Sequence, residues 1–401
     1  MRELDPRRVI ADLRELDRLT GGAGGAERVC WTEVWEAARG FLRARLDEIP
    51  GVQIELDEAG NLWAALPGES EEGVALGSHL DSVPAGGWLD GALGVMAALE
   101  VLRACQGTTP ARSPMLVDWA DEEGARFGRS LFGSSAVAGT LDVEQARGLR
   151  DSEGRALPAV LAEHGVELDR VLEAQARRAP LRAYLELHIE QGPVLEREGI
   201  SVAAVSGTFG VERHSFAFQG QASHAGTTPM GLRRDAGLAA ARTALAVDRI
   251  ARDHDGVGTA GALRLEPGIP TAVAGHAELL VDLRHAEAGR LAAMLDETRG
   301  AAQGAAADRG CRVSETRVWN IEPIPFDERL VAASGQAHVM ASGALHDAAE
   351  MARHVPTAML FTPSSSGLSH TPGEDTPEAD LESAIHAFGR LAARVIGSEL
   401  P

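Results

Sequence analysis

The chain has 401 residues, 44% hydrophobic and 24% charged, which is enough apolar material for more than one compact core. Its 38 Lys and Arg stand against 59 Asp and Glu, a formal charge of −21 that nucleic acid or an anionic membrane surface would repel. Three scattered cysteines, Cys30, Cys105 and Cys311, argue against a disulfide framework or a cysteine-based zinc site and suit a reducing compartment.

The opening MRELDPRRVIADLRELDRL is charged throughout and lacks the apolar core of a signal peptide, so a cytoplasmic enzyme is the expectation. GGAGGAE (21–27) has neither a preceding strand nor a phosphate-binding lysine, which dismisses a nucleotide loop. VALGSH (74–79) and MLVDWA (115–120) read as buried strands, with DGALGVMAALEVLRA (90–104) between them as a helix apolar nearly all round. The apolar stretch near 89–102 is interrupted by Asp90 and is too short to cross a bilayer. LRAYLELHI (181–189) and TAMLFTP (357–363) are further strands, and alternation with helical patterns predicts an α/β sheet covered by helices. The last segment, 377–396, repeats Leu381, Ile385, Phe388, Leu391 and Val395 at helical spacing, after Pro377 in a first-turn position.

The middle has another rhythm. A strand at 211–220, a helix at 231–253, strands at 257–265 and 271–284, a helix at 286–299 and a strand at 311–319 follow one another. That β-α-β-β-α-β order is the split unit of a ferredoxin-like sandwich. An inserted domain is therefore expected at 207–326, with 1–206 and 327–401 forming the other; GAAQGAAADRG (300–310) is read as a helix end and turn.

Metal-dependent hydrolases need neutral imidazoles and carboxylates converging from strand ends and loops. GSHLDSV (77–83) puts His79 at a strand end, with Asp81 two residues on and able to orient the imidazole as an outer carboxylate. GGWLDGALG (86–94) sets Asp90 at a helix start, where an N-cap aspartate is also a natural reading. DEEG (121–124) stacks three acids at one strand end, which is destabilising unless a cation joins them or one keeps its proton; a solvated acidic turn is the plain alternative. LELHIEQG (185–192) places His188 in an apolar strand, where a satisfied core histidine is the commoner outcome. SGLSHTPGED (366–375) adds His370 and Glu374 on a loop after a strand.

Six strings in order, GSHLDSVPAGGWLDGALGV, DEEGARFGRSLFGS, LELHIEQGPVLE, ASHAGTTPM, SGALHDA and FTPSSSGLSHTPGE, resemble the motifs of the hydantoinase/carbamoylase amidohydrolases. That family includes N-carbamoyl-L-amino-acid hydrolases and allantoate amidohydrolases and is related to the aminoacylase-type metallopeptidases; the resemblance runs from about residue 20 to the C-terminus. It implies a mixed-sheet, exopeptidase-like catalytic domain with two divalent ions (zinc, manganese, cobalt or nickel) and an inserted lid that also makes a homodimer. By resemblance His79, Asp90, Glu123, His188 and His370 hold the ions, with Asp90 bridging, and Glu122 is the general base. His224 is implied to reach the neighbouring subunit's active site and steady the developing oxyanion. Arg284 would hold a substrate carboxylate, with Gln191, Thr271 and Gly367 also on the substrate.

The implied activity is hydrolysis of an N-carbamoyl-L-amino acid to the amino acid, ammonia and carbon dioxide. N-acyl-amino-acid, dipeptide and allantoate hydrolysis are the rivals on the same metals. One departure bears on that choice: Thr271 and Ala274 stand where the family has asparagine and proline, so a single hydroxyl replaces an amide. Trp88 and Leu89 are bulky beside Asp90 and would line a pocket for an apolar side chain or, more simply, pack in the core. A catalytically silent binding protein would lack the base or a ligand, and neither is missing.

Overall fold

The computed structural model describes residues 1–21 and 24–400; Gly22 and Ala23, inside the glycine-rich stretch discussed above, and Pro401 lie outside the described residues. The chain divides into two compact units, Met1–Ser206 with Phe326–Pro401, and Gly207–Pro325. No described helix is long and apolar enough to cross a membrane.

The first unit is built on β1 (Gln53–Leu56), β2 (Leu62–Ala65), β3 (Gly73–His79), β4 (Ser113–Trp119), β5 (Leu181–Ile189), β6 (Ala203–Thr208), β7 (Val339–Ser342) and β8 (Thr357–Thr362). Their order is β1-β2-β4-β3-β5-β8-β6, with β7 also on β6. The central four run parallel and the flanking pairs antiparallel, so the sheet is mixed, as the sequence led us to expect. β3 and β8 are buried along their whole length, which is why they read as unbroken apolar runs.

A parallel neighbour requires a crossover, and helix Ala92–Cys105 supplies it between β3 and β4 with all its residues buried. Each of Leu93, Met96, Leu99 and Leu102 in that core contributes about 1.5–3 kcal/mol. Its two charged residues are buried too, and are matched by the N-terminal helix Pro6–Thr20. Arg8 Nε bonds Glu100 at 2.8 Å and Arg103 meets Asp12 at 2.6 Å. That helix, capped by Asp5, turns Val9, Ile10, Leu13 and Leu16 inward, an apolar stripe masked in the sequence by its charged neighbours.

The second unit has strands Gly210–Gln219, Val257–Glu266, His276–His285 and Arg312–Ile321. They form an antiparallel sheet in the order last, first, third, second, with helices Ala236–Asp253 and Ala288–Asp308 packed on it. This is the split β-α-β topology of a ferredoxin-like sandwich. Strand His276–His285 alternates half-buried and buried at every step.

Several boundaries differ from the sequence reading, each for a local reason. The first of these helices starts at Ala236, not 231, because Asp235 caps it by accepting from Leu238 N–H. The expected strand 271–284 is two, Ala272–Val273 and His276–His285, broken at Gly275, where a Cβ would press on the Ala222 backbone. The Ala-rich tract expected to end a helix remains helical to Asp308, as alanine's propensity favours, and the turn comes at Gly310. Pro377 sits at the N-cap of helix Glu378–Ile396 and not in its first turn.

Candidate metal centre

β3, β4, β5 and β8 are parallel, so their C-terminal ends open onto one edge of the sheet, the usual position of a site in such a fold. Onto that edge come His79, the Asp121–Glu123 turn, the His188–Gln191 segment and the loop carrying Ser369, His370 and Glu374. The structure thus gathers His79, Asp90, Glu123, His188 and His370 in one place, in two groups that share Asp90. His79, Asp90 and His188 form one and Asp90, Glu123 and His370 the other, with each group's donor atoms within 4.8 Å of one another.

Asp90 is not a cap. Gly91, at φ 64°, holds the N-cap position of the crossover helix, and the helix start has no side-chain cap bond. The Asp90 carboxylate instead divides: Oδ1 lies 3.1 Å from His188 Nε2 and Oδ2 lies 3.1 Å from His370 Nε2. Burial works against its charge, but the bonds to His188 and His370 prevail and hold it well below the usual carboxylate range.

Both buried histidines turn Nδ1 to a main-chain carbonyl, His79 to Asp81 O at 3.0 Å and His188 to Ile189 O at 2.9 Å. A carbonyl only accepts, so each ring carries a proton on Nδ1 and turns Nε2 to the site. The Asp81 assignment is therefore corrected. Its backbone oxygen orients His79, while its carboxylate, 3.7 Å from Nδ1, accepts the N–H groups of Glu122 and Glu123 at 3.2 and 3.1 Å. Extended geometry put Asp81 beside His79 correctly but could not say which of its oxygens would serve.

The DEEG turn is buried, not solvated. Glu122 Oε2 stands 3.7 Å from His79 Nε2, and Glu123 Oε2 stands 3.5 Å from His370 Nε2. Burial, then the charge of Asp90, pushes Glu123 up to about 8, while burial, then Asp347, Glu123, Asp81 and Asp90, holds Glu122 well above its ordinary value. Glu123 Oε1 is buried with no hydrogen-bond partner among the described residues. Asp90, Glu122 and Glu123 crowd their carboxyl groups around the imidazoles of His79, His188 and His370, a repulsive set unless a cation joins them or some of the acids keep their protons. Nitrogen and oxygen donors in this mixture suit divalent metal ions.

Gln191 stands at the same edge at φ 58°, its amide Nε2 3.0 Å from Asp90 Oδ2 and 3.2 Å from Ser369 Oγ. Gly367 lies in the adjoining 3-10 turn at φ 64°, where any Cβ would crowd Pro193. Trp88 and Leu89 belong to the core; Trp88 donates Nε1–H to Asp375 at 3.2 Å beneath the Arg14 guanidinium.

Sequence reasoning missed Arg28, which is fully buried and spans the loop between His79 and Asp90. Its guanidinium bonds Leu80 O at 2.7 Å and Gly87 O at 3.4 Å. It also missed His346, whose ring lies 4.5 Å from that of His188; SGALHDA was the only signal for it.

The remaining expected residues lie in the second unit. His224 sits on the two-residue strand Ser223–His224, paired with Ala272–Val273, and Thr271 O accepts from Ala225 N–H at 2.9 Å. His224 Nδ1 accepts from Gly226 and Thr227 N–H at 3.1 and 3.2 Å, which leaves Nε2 as a protonated donor. Arg284 is half-buried at the other end of strand His276–His285, opposite Val211, with Nε on Asp282 at 2.8 Å.

These features define a hydrolase-type α/β unit with a centre suited to two cations. Residues 75–394 match the family model described as peptidase family M20/M25/M40. An N-carbamoyl-L-amino acid amidohydrolase of Geobacillus stearothermophilus is 35% identical over 387 residues, 92% of this chain and 94% of its own length. An allantoate amidohydrolase of Bacillus subtilis is 31% identical over 385 residues, 92% of each chain. The solved structure of a hydantoinase/carbamoylase family amidase from Burkholderia ambifaria superposes with a TM-score of 0.87 at 32% identity, covering 98% of both chains. The chain belongs to peptidase family M20/M25/M40.

Proposed function

We propose that this chain is a dinuclear metal-dependent amidohydrolase that cleaves the ureido C–N bond of an N-carbamoyl-L-amino acid, releasing the amino acid, ammonia and carbon dioxide. The observation that carries the reading is Asp90, whose two oxygens face two different histidines at 3.1 Å each, one in each donor group. His79 and His188 would hold one ion and Glu123 and His370 the other. Bound divalent ions supply Lewis acidity, polarising a carbonyl and lowering the pKa of water toward about 7.

Glu122 is not needed as a ligand and lies beside His79, so it is the group to take a proton from the attacking water and return it to the leaving nitrogen. The His224 Nε2–H donates to the oxygen of the carbonyl as charge grows on it. Arg284 holds the substrate carboxylate, for which a planar, two-pronged cation is suited.

Arg284 lies near one end of strand His276–His285 and the Ala272–Val273 pairing with Ser223–His224 lies beyond the other, so about eight residues of strand, roughly 26 Å, separate them. A small substrate cannot meet both from one copy of the unit. This supports a homodimer in which each copy lends His224 to the other. The edge strand Val257–Glu266 supports it too, because it is exposed nearly throughout and carries Val257, Leu263 and Leu265 on its surface.

A second reading, allantoate hydrolysis, is supported by the 31% identity to the Bacillus subtilis enzyme over 92% of each chain. The deciding experiment is a panel of N-carbamoyl, N-acyl and N-formyl amino acids, dipeptides and allantoate on protein reloaded with zinc, manganese, cobalt or nickel. The highest kcat/KM is expected on an N-carbamoyl-L-amino acid; preference for allantoate selects the second reading, and preference for N-acyl substrates rejects both.

A further inference from the structure

Glu374 belongs to neither donor group, yet it is 2% exposed and its carboxylate bonds all end on the centre. Oε1 accepts the main-chain N–H groups of Leu89 and of Asp90, both at 3.0 Å. Oε2 accepts the Ser369 hydroxyl at 2.9 Å, one residue before His370. Ser369 has one proton to give, and giving it to Glu374 leaves its oxygen to accept from Gln191 Nε2 at 3.2 Å. The second proton of that amide goes to Asp90 Oδ2 at 3.0 Å. The Ser369 hydroxyl also lies 3.2 Å from Asp90 Oδ2, so Gln191, Ser369, Glu374 and Asp90 form one closed hydrogen-bonded ring around the bridging carboxylate. Room for the carboxylate comes from Gly87, where a Cβ would collide with it.

We infer that Glu374 is a positioning residue for the metal centre. From one oxygen it fixes the main chain of the bridging Asp90; from the other, through Ser369, it fixes the loop of His370. It therefore sets the spacing between the two ion sites without touching either ion. The inference rests on the di-metal reading above. A buried acid that merely stabilises the fold would make any such bonds; a positioning residue makes bonds whose loss is felt in the ions.

The test is calorimetric titration of metal-free protein with zinc, with circular dichroism as the check on folding. Wild type should take up two ions per chain. Glu374→Ala should stay folded and bind zinc about 10–100-fold more weakly, the usual cost of losing an outer partner of a metal ligand. Glu374→Gln keeps an oxygen for Leu89 and Asp90 N–H, and its amide can donate to Ser369, so it should remain close to wild type. Ser369→Ala removes the hydroxyl that joins Glu374 to the His370 loop and to Gln191 while leaving the Glu374 bonds to Leu89 and Asp90 N–H, and should weaken one of the two ions.

Wild-type affinity in Glu374→Ala overturns the inference, as does equal loss in Glu374→Gln and Glu374→Ala. If Glu374→Ala fails to fold, Ser369→Ala decides: unchanged binding of both ions overturns it. A wild type that binds no zinc removes the di-metal reading and this inference together, whereas two tight ions in wild type and Glu374→Ala alike removes this inference alone.

Discussion

Glu122→Gln is expected to fold, to bind both ions and to lose turnover by about 10²–10⁴-fold, the range that a positioned general acid–base contributes. Glutamine keeps the shape beside His79 and the main-chain bonds of the turn to Asp81, but it cannot accept the proton of the attacking water. Steady-state kinetics with metal content measured in parallel checks it. The loss should appear in kcat with KM little changed, because the group acts on the reacting atoms and not on binding. Turnover near wild type with full metal loading would remove Glu122 as the base and leave Asp347, the buried acid whose charge raises Glu122, as the next candidate.

Asp90→Asn should be more damaging still to the metals. An amide has one accepting oxygen and must turn its NH₂ toward either His188 or His370, where the carboxylate now presents an oxygen to each. Both donor groups lose a shared negative charge at once. Zinc binding should fall by more than the roughly 10–100-fold cost of losing an outer partner, and hydrolysis should fall toward that of the metal-free protein. Titration calorimetry with zinc checks this; two ions bound with wild-type affinity would contradict a bridging role.

Much of this was legible in the chain because period and chemistry coincided. VALGSH is buried on both faces and ends in a histidine, so its apolar run already located His79 at a strand's carboxyl end. The β-α-β-β-α-β order of the second unit was visible in alternations such as that of His276–His285. Less was visible where a long-range partner decides the outcome. In MRELDPRRVIADLRELDRL the charged residues mask an apolar stripe, because their partners Glu100 and Arg103 lie some ninety residues away. Arg28 gave no signal, since its acceptors are main-chain carbonyls that any sequence would supply. Asp81 shows the same limit on a smaller scale. Its place beside His79 follows from strand geometry, but its carboxylate is claimed by the Glu122–Glu123 turn, which only the fold brings near. Glu374 was noticed as a neighbour of His370, and its bonds to Leu89 and Asp90 cross 285 and 284 residues of sequence.

The most direct measurement is ammonia release from an N-carbamoyl-L-amino acid by protein stripped with a chelator and then reloaded with increasing amounts of zinc, manganese, cobalt or nickel. A di-metal amidohydrolase should be silent when stripped and should gain activity up to two ions per chain with at least one of these metals. Undiminished hydrolysis by the stripped protein, or activity complete at a single ion, would contradict a centre bridged by Asp90.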